Sequence, residues 1–162
     1  MQSTKFEFEY EVYNDISELR REDAVLLTKA REITASAYAP YSKFHVGAVG
    51  LLANGSIVVG TNQENAAYPV GICAERVLLG SAGTLNSGVA IHVMAISYQS
   101  PDTESDHPIS PCGMCRQALL EYETRTASPI RLILGGQKGR VFIIKKASQL
   151  LPFAFTSEEL GS

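Results

Sequence analysis

All three cysteines of this chain fall in two short motifs that could together bind a metal ion. Cys73 opens the segment Cys-Ala-Glu-Arg, and Cys112 and Cys115 stand in the segment Pro-Cys-Gly-Met-Cys. Three thiolates around Zn²⁺ leave one tetrahedral position for a water molecule. Glu75, which follows the first cysteine closely, could carry the protons of that water. The spacing therefore predicts a hydrolytic zinc site.

The charge around such a site depends on where the cysteines lie. All three are predicted in the first turns of helices, where free N–H groups and the positive end of the helix dipole favour thiolate over thiol. Three thiolates leave excess negative charge on the ion, which weakens it as a Lewis acid. Arg76 is positioned to donate hydrogen bonds to the sulfurs and to offset this charge. The competing interpretation is an ordinary surface arginine.

A closed structural zinc site is the main alternative, and it requires a fourth protein ligand. Of the three histidines, His92 lies inside an apolar segment and His45 has no ligand spacing to the cysteines. His107, on a predicted loop before the cysteine pair, is the one that could reach the ion. A closed site would give no reason for a glutamate beside the first cysteine, so the open site is favoured. A redox role for Cys-Gly-Met-Cys would explain neither that glutamate nor the first cysteine.

Composition narrows the class of protein further. The chain has 162 residues, of which 45% are hydrophobic, and this is the size of one domain with a real core. An odd number of cysteines argues against a disulfide framework, so we expect reduced thiols. The first residues form no apolar leader, and no apolar run is long enough to span a membrane. From these two features we expect a cytoplasmic protein with no membrane partner. The net charge of −3 and the pI near 5.6 argue against a nucleic-acid partner.

The first half of the chain is predicted to contain a strand, then a helix, then two strands that form a hairpin. Apolar and glutamate residues alternate over 6–12, which predicts a half-buried strand. Asp15 and Glu18 offer a capping-box-like start to a helix that ends before Pro40. The dipeptide Asn54-Gly55 joins two apolar segments, over 45–53 and 56–62, and predicts a hairpin turn.

The second half is predicted to contain two helices, each beginning at a cysteine motif, and three strands. The helices run from Cys73 to about 82 and from Cys112 to about 124, and the strands cover 89–98, 130–134 and 140–144. The connection between the last two strands is too short for a parallel crossover, so these two strands must be antiparallel if they are neighbours in the sheet. A short helix over 148–151 is stopped by Pro152. We therefore predict a three-layer α/β/α fold with a five-stranded mixed sheet and an N-terminal extra strand.

Five ordered blocks extend the two cysteine motifs along the chain. They cover 38–48, 62–69, 73–76, 111–117, and 150–152 with Phe155. In these blocks the chain resembles the cytidine deaminases that act on free nucleosides, a family of small homotetrameric zinc enzymes. The resemblance implies a single zinc domain over 15–162, with residues 1–14 as an N-terminal extension that is expected to form an edge strand.

The resemblance also assigns roles to individual residues. Cys73, Cys112 and Cys115 look like the ligands of one zinc ion per chain, and Glu75 like the proton carrier. Further positions correspond to substrate-binding residues of the family: Asn62 and Glu64 for the ribose hydroxyls, Phe44 and Phe155 for the pyrimidine, and Ala66 and Tyr68 for a neighbouring subunit's site. Core packing is the competing role for the two phenylalanines. A solvated loop acid is the competing interpretation of Glu64.

The reaction that the resemblance implies is hydrolytic deamination of cytidine and deoxycytidine to uridine and deoxyuridine, with release of ammonia, as in pyrimidine salvage. A deaminase of a cytosine-containing antibiotic would keep the same zinc motif and stays an alternative. A deaminase of polynucleotides fits less well, because those relatives insert a helix before the last strand and run the last strands parallel. A zinc-stabilised interaction domain is the non-enzyme alternative.

Two segments depart from the family pattern. The first 14 or so residues precede the usual start of the family, and we expect them to add an edge strand or a contact between subunits. The loop over 99–110 is long and acidic, with Asp102, Glu104 and Asp106 close together. Access to the site is therefore expected to differ from that of a typical member.

Overall fold

A six-stranded mixed sheet organises the computed structural model, which describes residues 1–161. The strands are β1 (Tyr10–Tyr13), β2 (His45–Leu52), β3 (Ile57–Thr61), β4 (Ile91–Gln99), β5 (Arg131–Gly135) and β6 (Val141–Ile144). Their order across the sheet is β1-β6-β5-β4-β2-β3. β4 and β5 are parallel, and every other neighbouring pair is antiparallel. The prediction of a five-stranded mixed sheet with an extra N-terminal strand is confirmed.

Three α-helices cover the two faces of this sheet. They are α1 (Arg21–Ile33), α2 (Ala74–Leu85) and α3 (Gly113–Thr126). Because side chains alternate along a strand, each strand supplies both faces. Val49 of β2 packs on the α1 side, whereas its neighbour Ala48 packs on the side of α2 and α3. The result is the predicted α/β/α arrangement, with a hydrophobic cluster on each side of the sheet.

The two predicted antiparallel hairpins are both present. β2 and β3 are joined at Asn54 and Gly55, and Gly55 has the positive φ of 83° that such a turn requires. β5 and β6 pair antiparallel across a glycine-rich turn. The short connection after β5 therefore determines the direction of the last strand, as expected.

The predicted start of the first helix is wrong by several residues. Asp15 caps only a 3₁₀ turn, Ile16–Glu18, by accepting a hydrogen bond from the backbone N–H of Ser17. Leu19 is then extended, with ψ 158°, so the α-helix begins only at Arg21. The carboxylate of Glu18 accepts hydrogen bonds from Asn14, and these local bonds stabilise the turn instead of a helix.

The predicted half-buried strand over 6–12 is also wrong in length and in burial. β1 covers only Tyr10–Tyr13 because its partner β6 is equally short. Four apolar side chains of this segment are exposed in the single chain: Phe6, Phe8, Tyr10 and Val12. Tyr10 contacts Phe142 of β6, with 5.1 Å between the ring centroids. The strand does lie at the edge of the sheet, as predicted.

A buried glutamate joins α3 to the last part of the chain. The carboxylate of Glu123 accepts hydrogen bonds from the backbone N–H groups of Ile130, Ala147 and Ser148. Ala147–Leu150 is a 3₁₀ turn, where a short helix over 148–151 was predicted. Buried N–H groups without a partner cost free energy, so these hydrogen bonds stabilise the attachment of both segments to α3, the helix that begins at the second cysteine motif.

The remaining short elements are 3₁₀ turns at Thr34–Ser36, Tyr68–Val70 and Ser157–Leu160. Within residues 1–161, no helix has both the length and the apolar character needed to cross a membrane.

Candidate active site

The three cysteines converge where α2 and α3 begin. Cys73 and Cys112 are the N-cap residues of α2 and α3, and Cys115 lies in the first turn of α3. The three Sγ atoms lie within 4.8 Å of one another. The Sγ atom of Cys112 is 3.8 Å from that of Cys73 and 3.5 Å from that of Cys115. The fold therefore brings together the residues that sequence spacing selected.

This sulfur cluster has the dimensions of a zinc site. Zn–S bonds of about 2.3 Å in a tetrahedron place the sulfur atoms about 3.8 Å apart. Among residues 1–161, no histidine or carboxylate joins the three cysteines within ligand distance of one another. His107, the candidate fourth ligand of a closed site, instead contacts the hydroxyl of Tyr98 and the carboxylate of Asp106. The geometry fits three protein ligands with one position left open.

The cluster already favours a thiolate. A hydrogen bond with the Cys115 thiol is the main cause that lowers the pKa of Cys73 to about 6. Cys112 and the positive charge of Arg76 act in the same direction, whereas burial opposes it. The same pairing raises the pKa of Cys115, because the proton stays on that sulfur. Thiolates at this position are what a metal ion binds.

Glu75 lies beside this cluster with its side chain almost fully buried. Glu75 is the second residue of α2, and only 5% of its surface is exposed. Burial raises the pKa of its carboxyl group, and a hydrogen bond from the Cys115 thiol partly opposes this rise. A raised pKa makes a carboxyl group a better proton acceptor. Its place next to the sulfurs suits a proton carrier.

A cleft of about 480 Å³ opens next to the sulfur cluster. Its lining combines residues before β2, after β3 and at the start of α2: Tyr41, Ser42, Asn62, Gln63, Glu64, Asn65, Tyr68, Gly71, Ile72 and Cys73. This volume is in the usual range for a small-molecule site. The cleft therefore connects the predicted sugar-binding residues to the predicted metal ligand Cys73.

Glu64 is fixed in this cleft by the loop before β2. Its carboxylate accepts hydrogen bonds from the Ser42 hydroxyl and from the backbone N–H groups of Tyr41 and Ser42. The Ser42 hydroxyl bond is the main cause that lowers the pKa of Glu64 below its usual value. The side chain is thus held in place as an ionised acceptor, in contrast to a freely solvated loop acid.

The side chain of Asn62 is also fixed by hydrogen bonds, in this case to residues around the start of β2. Its side-chain oxygen accepts a hydrogen bond of 2.7 Å from the Val46 N–H. Its side-chain nitrogen donates a bond of 2.8 Å to the Phe44 carbonyl. An amide nitrogen carries two hydrogens, so one N–H donor is left for a ligand in the cleft. Asn62 therefore both lines the cleft and fixes the start of β2.

Phe44 stacks on a second aromatic ring. Its ring centroid is 5.0 Å from that of Tyr98, and the two planes differ by 21°. Tyr98 is only 1% exposed, and burial raises the pKa of its hydroxyl. Phe44 itself stays partly exposed at the start of β2. The structure thus shows packing of Phe44 against Tyr98, whereas contact of Phe44 with the base stays a prediction, since Phe44 is not among the residues that line the cleft.

Comparison with known proteins agrees with this geometry. Residues 20–128 match the family model described as the cytidine and deoxycytidylate deaminase zinc-binding region. The chain belongs to the cytidine deaminase family. It is 37% identical over 139 residues to a cytidine deaminase of Halalkalibacterium halodurans, covering 85% of this chain and 96% of the relative. A cytidine deaminase of Sporosarcina psychrophila is 38% identical over 139 residues, covering 84% and 93%.

Solved structures of the family share the fold. The crystal structure of a cytidine deaminase from Burkholderia pseudomallei superimposes with a TM-score of 0.69 at 34% identity, covering 85% of this chain and all of that one. The crystal structure of a cytidine deaminase from Mycobacterium tuberculosis gives a TM-score of 0.63 at 28% identity, with 82% and 95% covered. The chain is therefore a cytidine deaminase-type enzyme in fold and family, with a three-cysteine cluster compatible with one zinc ion.

The predicted subunit-contact residues of this cytidine deaminase-type chain lie on its surface. Tyr68 is 76% exposed, and its ring lies 6.1 Å from that of Tyr41 at the rim of the cleft. Ala66 is exposed on the same segment. The side chain of Phe155 is also exposed, while its backbone carbonyl accepts a hydrogen bond from Gln117 of α3. Their roles stay predictions.

Arg76 is half-buried at the start of α2. Its charge favours the Cys73 thiolate, although no direct hydrogen bond between Arg76 and a sulfur is found in the described part of the chain. Its role in charge compensation therefore stays a prediction.

Sequence reasoning missed two supporting residues. Ser42 fixes Glu64, and Arg116 donates hydrogen bonds to the carbonyls of Pro111 and Leu150. Both belong to the blocks of resemblance, so their place in those blocks was the available signal.

Proposed function

We propose that this protein catalyses the zinc-dependent hydrolytic deamination of cytidine and deoxycytidine to uridine and deoxyuridine, with release of ammonia. The observation that carries the proposal is the open cluster of three cysteine sulfurs beside the buried Glu75, at the end of a cleft of nucleoside size. The named relatives are cytidine deaminases, which supports the same activity here. A direct test is ammonia release from each nucleoside by the zinc-loaded protein.

We assign roles to the chain's own residues on the basis of their positions. Cys73, Cys112 and Cys115 would hold one Zn²⁺, which supplies the Lewis acid that makes water a nucleophile near neutral pH. Glu75 takes a proton from the attacking water as its oxygen bonds to C4 of the base. Glu75 then passes this proton to N3, and a further proton reaches the 4-amino group before the C4–N bond breaks. The water oxygen stays on C4, and the amino group leaves as ammonia.

The cleft favours a nucleoside over a nucleotide. Glu64 is ionised in its lining, and no lysine or arginine lines the part of the cleft that the structure describes. A phosphate group would meet a carboxylate without a compensating cation, whereas ribose hydroxyls can donate hydrogen bonds to that carboxylate. The remaining N–H of Asn62 can donate to a ribose oxygen. We therefore assign these two residues to the sugar.

Free cytosine should be a poor substrate if Glu64 and Asn62 bind the ribose. Each polar group that loses its partner on removal of the sugar should lower kcat/KM by about 5-fold to 150-fold. Glu64→Ala should lower kcat/KM for cytidine by a similar factor and leave that for cytosine almost unchanged. Steady-state kinetics on both compounds measures this, with Glu121→Ala on the exposed side of α3 as the matched control. Equal kcat/KM values for cytosine and cytidine would refute the ribose role.

We further propose a homotetramer with active sites shared between subunits. The exposed Tyr68, Phe153 and Phe155 are large apolar side chains that one chain leaves in water. In this arrangement residues 15–162 form the zinc domain, residues 1–14 are an appended segment, and Ala66 and Tyr68 reach a neighbouring site. Reduced thiols suit a cytoplasmic enzyme of pyrimidine salvage.

Light scattering should give a mass of four chains for the purified protein. Deleting residues 153–162 should reduce both assembly and activity, because it removes two exposed phenylalanines, while the zinc content stays at one ion per chain. Phe155→Ala should raise KM for cytidine, by about 3-fold to 10-fold for the loss of an aromatic contact. A fully active monomer at the assay concentration would rule out shared sites.

A further inference from the structure

Tyr98 and His107 form a row of rings with Phe44 that has no role in the reaction described so far. The Phe44 and Tyr98 rings are stacked, and the Tyr98 ring meets the His107 ring edge-on at 5.7 Å between centroids. The Tyr98 hydroxyl is 3.2 Å from Nδ1 of His107. Tyr98 is thus in contact with both other rings, and at 1% exposure it has almost no surface to offer to a ligand.

This row lies on the side of the sheet that carries the active site. Ile96 packs in the hydrophobic cluster with α2 and α3, and side chains two apart on a strand face the same way. Tyr98 of β4 therefore lies on the side where α2 and α3 begin. Phe44 is not among the residues that line the cleft, but its carbonyl accepts a hydrogen bond from the side chain of Asn62, which does line it. Since His107 belongs to the 99–110 loop, the row of rings connects this loop to Phe44, the residue before β2.

The 99–110 loop is docked rigidly onto the turn between β5 and β6. The Ser105 carbonyl accepts a hydrogen bond of 2.6 Å from the Gln137 N–H, and the Ser105 hydroxyl accepts one of 3.0 Å from the Ser100 N–H. The Gln137 side chain donates a bond of 3.1 Å to the Tyr98 carbonyl. Gly136 allows this approach, since a Cβ atom there would lie 2.1 Å from the Ser105 oxygen. These hydrogen bonds attach the loop that carries His107 to the end of β4 and to the β5–β6 turn.

We propose that Tyr98 and His107 are positioning residues that fix the ring plane of Phe44 for stacking on the pyrimidine base. This inference rests on the proposed deamination of cytidine, with Phe44 as a base-contacting residue. It also gives the long 99–110 loop a function, because this loop supplies His107, although none of its residues lines the cleft. Substitution of Tyr98 or His107 leaves Glu75 and the cysteines unchanged. We therefore expect such substitutions to affect binding of the base and to leave the chemical step unchanged.

A double-mutant cycle with Phe44 tests this role. In the zinc-loaded enzyme, Tyr98→Leu should raise KM for cytidine by about 3-fold to 10-fold, the usual scale of one aromatic contact, with kcat almost unchanged. Tyr98→Phe keeps the stacked ring and should stay within about 2-fold of the wild type. In a Phe44→Leu background, Tyr98→Leu should cause no further rise, because the ring that it positions is gone.

A second experiment changes an exposed residue of the row instead of the buried Tyr98. His107 is exposed on the loop, so His107→Ala should leave the melting temperature unchanged while raising KM by about 2-fold to 5-fold. This rise should also vanish in the Phe44→Leu background. Fold increases in KM that multiply in the double variants would overturn the inference and leave the proposed function intact. A zinc-loaded wild type that does not act on cytidine would overturn both.

Discussion

Glu75→Gln should retain zinc and fold while losing about 10²-fold to 10⁴-fold in turnover of cytidine, the range for a general acid–base group. Glutamine has the size of glutamate but cannot accept and return a proton at the position beside the cysteines. The side chain is buried, so water cannot easily replace it. The measurement is kcat for ammonia release, made together with the metal content and the melting temperature of the same preparation.

The matched control is Glu121→Gln, which removes a carboxylate from the exposed side of α3. It should leave turnover, metal content and stability unchanged. Turnover near the wild-type value in Glu75→Gln would remove Glu75 from the mechanism. A loss of turnover accompanied by a loss of zinc would instead make Glu75 a residue that stabilises the metal site.

Cys112→Ala and Cys115→Ala should each abolish both zinc binding and activity. Two thiolates and water make a weak zinc site, and the affinity of the cluster depends on three sulfurs within 4.8 Å of one another. Elemental analysis after dialysis against a chelator should find one zinc per chain in the wild type and almost none in either variant. Cys115 is buried and Cys112 exposed, so equal losses would not come from core packing alone.

Circular dichroism of the metal-free wild type provides the reference for folding in those variants. The finding that would contradict the open site is full zinc content with a histidine as the fourth protein ligand of the ion. His107 is the residue to examine in that case, although in this structure it contacts Tyr98 and Asp106.

The parts of the fold that were predicted correctly depend on strong local signals. Asn54-Gly55 has few alternatives to a hairpin turn, and the short connection after β5 excludes a parallel neighbour. The cysteine motifs were found because metal ligation needs particular residue types at particular spacing, whatever the surrounding sequence. The start of α1 was wrong because a capping pattern at Asp15 and Glu18 also stabilises a single 3₁₀ turn.

Other features depend on contacts between distant residues, so sequence patterns could not reveal them. The alternation over 6–12 indicates a strand, but the burial of its apolar side depends on whether another element covers that edge of the sheet. The stacking of Phe44 on Tyr98 joins the residue before β2 to β4, and the bond of Ser42 to Glu64 joins two loops. Such pairs become visible only when the chain is folded.

The most direct test of the account is turnover of cytidine, deoxycytidine and short single-stranded DNA by the zinc-loaded protein, followed by absorbance and by ammonia release. We expect both nucleosides to yield one ammonia per uridine or deoxyuridine formed, with no detectable turnover of the DNA. The acidic pI of 5.6 and the antiparallel β5–β6 pair both oppose a polynucleotide substrate. Turnover of the DNA alone, or no ammonia from either nucleoside at full zinc content, would contradict the proposed function.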